Sequence, residues 1–143
     1  MLSEKETKLL KHLRENSRES LTSISAKTGI PVSTLFDVLK KLESGVIIKH
    51  VPLLDFSKIG YNIRVNFAIN SKNNSKMREF LANHRNVNSL SSLIDNNFSI
   101  FAECLFKNLK EMSDFKDSLS RFEVTNISEN FIVEELKKED FQL

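Results

Sequence analysis

Residues 20–45 read SLTSISAKTGIPVSTLFDVLKKLESG, and this stretch decides the first part of the fold. Ser20 is a helix cap, because its hydroxyl can accept an amide of the first turn. Leu21, Ile24 and Thr28 follow at helical spacing, and Gly29 supplies the left-handed residue that closes a short helix. Ile30-Pro31 cannot extend it, since proline disfavours helical geometry in the residue before it. A further helix starts at Val32 or Ser33 and stops at Gly45, with Leu35, Val38, Leu39 and Leu42 on one buried face. Its other face shows Ser33, Thr34, Phe36, Asp37, Lys40 and Lys41. Two helices joined by a tight turn, the second amphipathic with a polar outer face, describe a helix-turn-helix.

On the N-terminal side, Ser3-Glu4-Lys5-Glu6 is a capping box, and Leu9, Leu10 and Leu13 form the apolar stripe of a first helix that ends at Asn16-Ser17. On the other side, Val46-Ile47-Ile48 and Val51-Pro52-Leu53-Leu54 read as two short strands flanking Lys49-His50. The pattern suits duplex DNA, whose major groove admits one helix. Ser33, Thr34 and Asp37, beside Phe36, would face base edges. Arg18, Lys40, Lys41 and Lys49 would favour phosphates. The competing reading of the same residues is a plain three-helix bundle with a solvated outer face.

Beyond Gly60 the periodicity changes. Ile63, Val65, Phe67 and Ile69 alternate with Arg64, Asn66, Ala68 and Asn70, which predicts a strand with one buried face. Met77, Phe80, Leu81 and His84 predict a helix over Ser75–His84, and Val87–Ile94 predicts a weaker strand. After the turn Asp95-Asn96-Asn97, Phe98–Phe106 predicts a strong strand. Asn108 caps a helix carrying Met112, Phe115, Leu119 and Phe122, and Val124–Leu136 holds a last strand, most clearly at Phe131-Ile132-Val133. The order β-α-β-β-α-β is the ferredoxin-like arrangement, in which two helices cover one face of an antiparallel sheet. Phe101 and Leu105 fall on the opposite face beside Glu103, so the expectation is that a second copy covers that face and that Arg64 pairs with Glu103 at the interface. The alternative cover is the segment 134–143.

The 143 residues thus divide into a helix-turn-helix domain at 1–50, a hinge strand or linker at 51–61 and an α+β domain at 62–143. Charge and aromatic content divide the same way. Residues 1–60 carry 10 basic and 7 acidic side chains against 11 and 12 in residues 61–143, and nine of the 11 phenylalanines lie in the second part. A composition of 40% hydrophobic and 28% charged residues excludes a largely disordered chain, and no apolar run is long enough for a transmembrane helix. The charged start MLSEKETK is not a secretory signal, and one cysteine, Cys104, makes neither an internal disulfide nor a cysteine-rich zinc site, so a cytoplasmic location is expected. His12, His50 and His84 lack metal-ligand spacing, no phosphate-binding glycine loop is present, and no nucleophile-base-acid set stands out. Neither a cofactor nor catalysis is expected.

Over essentially its whole length the chain resembles the Lrp/AsnC, or feast/famine, family of prokaryotic transcription regulators. Leu2, Leu9, Leu10 and Leu13, then Ile24 and Gly29, then Ser33, Thr34 and Leu42-Glu43 match its helix-turn-helix frame, and Asp55 and Lys58-Ile59-Gly60 match its hinge. The resemblance implies a winged or ribbon-flanked helix-turn-helix, a ligand-sensing C-terminal domain, homodimers that often build octamers, and binding to pseudo-palindromic promoter DNA. It also implies effector contacts at the turn between the second and third strands. Here that turn holds Asp95, Asn97 and Phe98 in place of the family's glycine-x-x-aspartate, which points to a less polar ligand than an ordinary amino acid, or to none. Asp37 and Val38 stand where basic residues are frequent in the family. Two other functions stay open. One is an enzyme like the siroheme decarboxylases, which share the architecture and would recruit Arg64, Arg78, Arg85 and His84. The other is a partner of a paralogous regulator that does not itself bind DNA.

Overall fold

A computed structural model describes all residues 1–143. The chain divides into two compact units, residues 1–53 together with 137–143, and residues 54–136.

The first unit is helical: α1 Glu4–Glu15, α2 Leu21–Thr28 and α3 Val32–Glu43. The capping box of α1 is formed, with the Glu6 amide donating to Ser3 Oγ and the Ser3 amide donating to Glu6 Oε2 at 2.6 Å. Ser20 caps α2, and Gly29 closes it at φ +72°, a backbone region costly for any residue with a Cβ. Leu9, Leu10, Ile24, Ile30, Leu35 and Leu42 form the core, with Leu13, Leu21, Val38 and Leu39 packed around it. Ile30, in the turn itself, is buried, so the turn between α2 and α3 is pinned to the core by its own side chain.

Three expectations about this region change. Residues 46–54 hold no strand; the hinge contains instead a 3₁₀ turn at Phe56–Ile59, capped by Asp55 and closed by Gly60 at φ +91°. The sequence run is β-branched and apolar, but a strand requires a partner backbone and the chain supplies none there. No strand pair forms after α3 within the single protomer. Thirdly, residues 137–143 group with the helical unit rather than with 62–136. Arg14 fixes them: its Nη2 donates to the Glu139 carbonyl at 2.8 Å and its Nε to the Phe141 carbonyl at 3.2 Å.

The second unit comprises β1 Ile63–Ser71, α4 Asn74–Ala82, β2 Val87–Ser92, β3 Ile100–Phe106, α5 Leu109–Leu119, a 3₁₀ turn Ser120–Phe122 and β4 Val124–Phe131. The strands form one antiparallel sheet in the order β2-β3-β1-β4. One face, bearing Val65, Phe67, Ile69, Ile100, Ala102, Cys104 and Phe106, packs against Met77 and Leu81 of α4 and Met112, Phe115 and Leu119 of α5. Phe115 is central, with ring centroids 5.5 Å from Phe67, 5.3 Å from Phe106 and 4.9 Å from the His84 imidazole. This is the α+β arrangement expected from the strand and helix order. The final strand ends at Phe131, short of the expected Ile132-Val133.

Register fixes the other sheet face. Arg64 pairs across from Leu105, Asn66 from Glu103, and Ala68 from Phe101, while Asn66, Ala68 and Asn70 lie opposite Asn130, Ser128 and Asn126. That face is thus richer in asparagine and serine than in apolar side chains. Leu105 is 7% exposed in the single chain, and Phe101 is half-buried.

Candidate nucleic-acid interface

The candidate interface is the outer side of α3. Leu35 and Leu42 are buried on its inner side, and the 3.6-residue repeat therefore turns Ser33, Phe36, Asp37 and Lys40 to solvent. Thr34 is half-buried at the edge of that face. Pro31 stands just before the helix and provides no side-chain cap, so the first amides of α3 keep their hydrogen-bonding capacity for an outside acceptor. Phe36, a large ring 48% exposed, carries the Lys40 ammonium 4.5 Å from its centroid. The pair forms a cationic, partly apolar ridge.

The four expected phosphate-binding cations are not equivalent. Arg18, Lys40 and Lys49 are exposed and make no ion pair within the chain. Lys41 instead holds Glu6 Oε1 at 2.7 Å. The lysine, with the Ser3 amide and hydroxyl, keeps the Glu6 carboxyl down at about 2. This pair ties the start of α1 to the end of α3. Glu19 does the same for α1 and α2: it accepts from Lys27 Nζ at 2.6 Å, Ser23 Oγ at 2.8 Å and His12 Nδ1 at 2.9 Å. Its carboxyl is also held at about 2, chiefly by Lys27 and then Ser23. Sequence reading missed both positioning carboxylates. The capping box gave a signal for Glu6, but nothing local announces Lys41 as its partner.

In the sheet unit, Arg64 meets Glu103 at 3.5 Å, and Glu135 more closely at 2.8 Å. The expected Arg64–Glu103 pair therefore exists inside one protomer. Arg64 Nε and Asn66 Oδ1 are buried without a partner on that face. Asp95, Asn97 and Phe98 lie together in the β2–β3 turn, where Asp95 Oδ1 accepts from the Asn97 amide at 2.7 Å and the Phe98 amide at 3.1 Å. That oxygen is spent on its own turn. No group of histidine, cysteine and carboxylate side chains is arranged to hold a metal, and no helix is long and apolar enough to cross a membrane.

Comparison with known proteins sharpens this geometry. The family described as winged helix-turn-helix DNA-binding matches residues 2–48. An HTH-type transcriptional regulator of Pyrococcus furiosus is 31% identical over 142 residues, covering 96% of this chain and 95% of the relative. The structure of E. coli AsnC superposes with a TM-score of 0.83 at 13% identity, covering 100% of this chain and 99% of that one. A transcriptional regulator from Neisseria meningitidis, solved with L-Met, gives 0.86 at 19% identity, covering 100% and 96%. At such identities these two structures speak for the fold.

Proposed function

Since the chain belongs to the Lrp/AsnC family of DNA-binding, helix-turn-helix transcriptional regulators, we propose that it reads promoter DNA through the outer face of α3, presented in duplicate by a two-fold homodimer. Ser33, Thr34 and Asp37 face base edges, with Asp37 suited to accept from a cytosine amino group. Phe36 packs against the groove wall, and Arg18, Lys40 and Lys49 neutralise phosphates. Lys41 acts through Glu6 and sets the angle of α3 on α1.

The observation that carries this reading is the one-sided burial of α3: Leu35 and Leu42 are inside, and its polar ridge is left open. Duplication follows from the extended segment after α3. Val46, Ile48, Val51, Leu53 and Leu54 are all at least half exposed, Ile48 at 95%, on a backbone without strand partners. A second copy of the same segment, paired antiparallel, satisfies the amides and covers the side chains at once. Phe101, with Arg64 and Glu103, extends the interface on the sheet; Leu105 is already covered and contributes little. In this reading the Asp95–Phe98 turn is the effector-contacting segment, through the side chains of Asn97 and Phe98 rather than through the engaged Asp95 oxygen.

The test joins sedimentation to DNA binding. The chain is expected to sediment as a dimer or larger, and to bind a fragment from upstream of its own coding region at low salt. Ile48→Ser with Leu53→Ser should lower both together. A monomer that binds the fragment with full affinity overturns the two-fold reading; absence of binding to any upstream fragment at low salt overturns the assignment to α3.

A further inference from the structure

An open cleft of about 440 Å³ lies in the second unit, where α4 meets the 3₁₀ turn Ser120–Phe122. Its volume falls in the range of small-molecule sites, roughly 300–1,000 Å³. Its floor is aromatic. Phe80 and Phe122 lie 5.3 Å apart between centroids, and the His84 ring stands edge-on to Phe80 at 5.2 Å. The Arg121 guanidinium lies over both phenylalanines, 4.5 Å from one centroid and 4.8 Å from the other. Stacked in this way, the guanidinium keeps its N–H edge for another group, and no carboxylate of the chain pairs with it. Lys76, on the rim, is also unpaired, and Glu79 is the one acid lining the cleft.

The polar groups choose the ligand. His84 Nδ1 accepts from the Asn86 amide at 3.2 Å, which leaves the proton on Nε2 as a donor. Burial, with Arg85 nearby, disfavours the charged imidazole, so this donor is neutral. Two cations against one carboxylate leave the lining with a single net positive charge, matched to a monoanion rather than to a phosphate dianion. A flat apolar body is matched to the phenylalanine floor, and a planar carboxylate to the guanidinium fork.

We propose that the cleft lined by Phe80, Phe122, His84 and Arg121 binds a small aromatic monocarboxylate. The carboxylate takes two N–H groups of Arg121, and the ring packs beside the guanidinium against the edges of Phe80 and His84. The site is distinct from the Asp95–Phe98 turn and does not depend on the DNA reading, since it can be tested with no DNA present.

The experiment is calorimetric titration of the full-length protein with benzoate, phenylacetate, benzyl alcohol and inorganic phosphate. Benzoate or phenylacetate should bind saturably, with benzyl alcohol and phosphate weaker by about tenfold or more. Arg121→Gln, at an exposed position, should weaken the carboxylates by about tenfold or more. Arg78→Gln, which removes the same charge from an exposed position on α4 outside the cleft, should leave them unchanged; circular dichroism melts confirm that both variants fold. Absence of saturable binding, phosphate binding as tight as benzoate, an unaffected Arg121→Gln, or equal losses in both variants would each overturn the proposal.

Discussion

Replacing Lys40 by glutamine isolates the electrostatic part of the α3 reading. Arg18, Lys40 and Lys49 are unpaired, whereas Lys41 is neutralised by Glu6 at 2.7 Å. A two-fold dimer therefore offers about six free cations to phosphates, and at about 0.9 per phosphate the slope of log affinity against log salt is about −5. That slope corresponds to a loss of roughly 10³ in affinity between about 50 and 200 mM salt. Lys40→Gln removes one contact per protomer and should flatten the slope to about −4. Lys41→Gln is the counterpart: its ammonium is already committed, so the slope should stay near that of the parent while the helical unit melts earlier. Fluorescence anisotropy with a labelled upstream fragment, repeated across the salt range, measures both slopes. An unchanged slope in Lys40→Gln, or an equal flattening in Lys41→Gln, refutes the division of the cations into free and engaged.

Two further outcomes follow from the carboxylates and the thiol. Glu6 and Glu19 are lowered from 4.5 to about 2, so their contribution to stability is complete above 4.5 and is lost as pH falls toward 2. Melts followed by circular dichroism should show the helical unit weakening across that window, and Glu6→Gln should be less stable at neutral pH with a shallower acid dependence; an unaltered acid profile in that variant argues against the Glu6–Lys41 tie. Cys104 is fully buried on the helix-covered sheet face, and burial pushes its thiol up to about 12. It should resist Ellman's reagent at about pH 8 in the native protein and react at once in denaturant, and fast native labelling would contradict the packing of β3.

Much of what depended on neighbours within a few residues was readable in the chain itself. Ser3, Ser20 and Asn108 cap their helices and Gly29 closes α2, because each interaction spans at most one helical turn. The alternation in Ile63–Asn70 and the burial stripe of α3 were equally legible, since periodicity reports directly which face meets a core. The order of elements then sufficed for the α+β arrangement of the second unit.

Tertiary structure alone decided the rest. Val46–Leu54 has strand composition, yet a strand exists only where another backbone answers its amides, and this protomer has none to offer there. Which lysine is free for phosphate and which is committed to Glu6 is likewise a matter of where α1 lies on α3. Arg64 found Glu135, 71 positions away, as well as the expected Glu103. The cleft of Phe80 and Arg121 joins two segments that share no local pattern. In the last three cases the partner is remote along the chain, so the interaction exists only once folding has closed the intervening loop, and no pattern within a few residues can encode it.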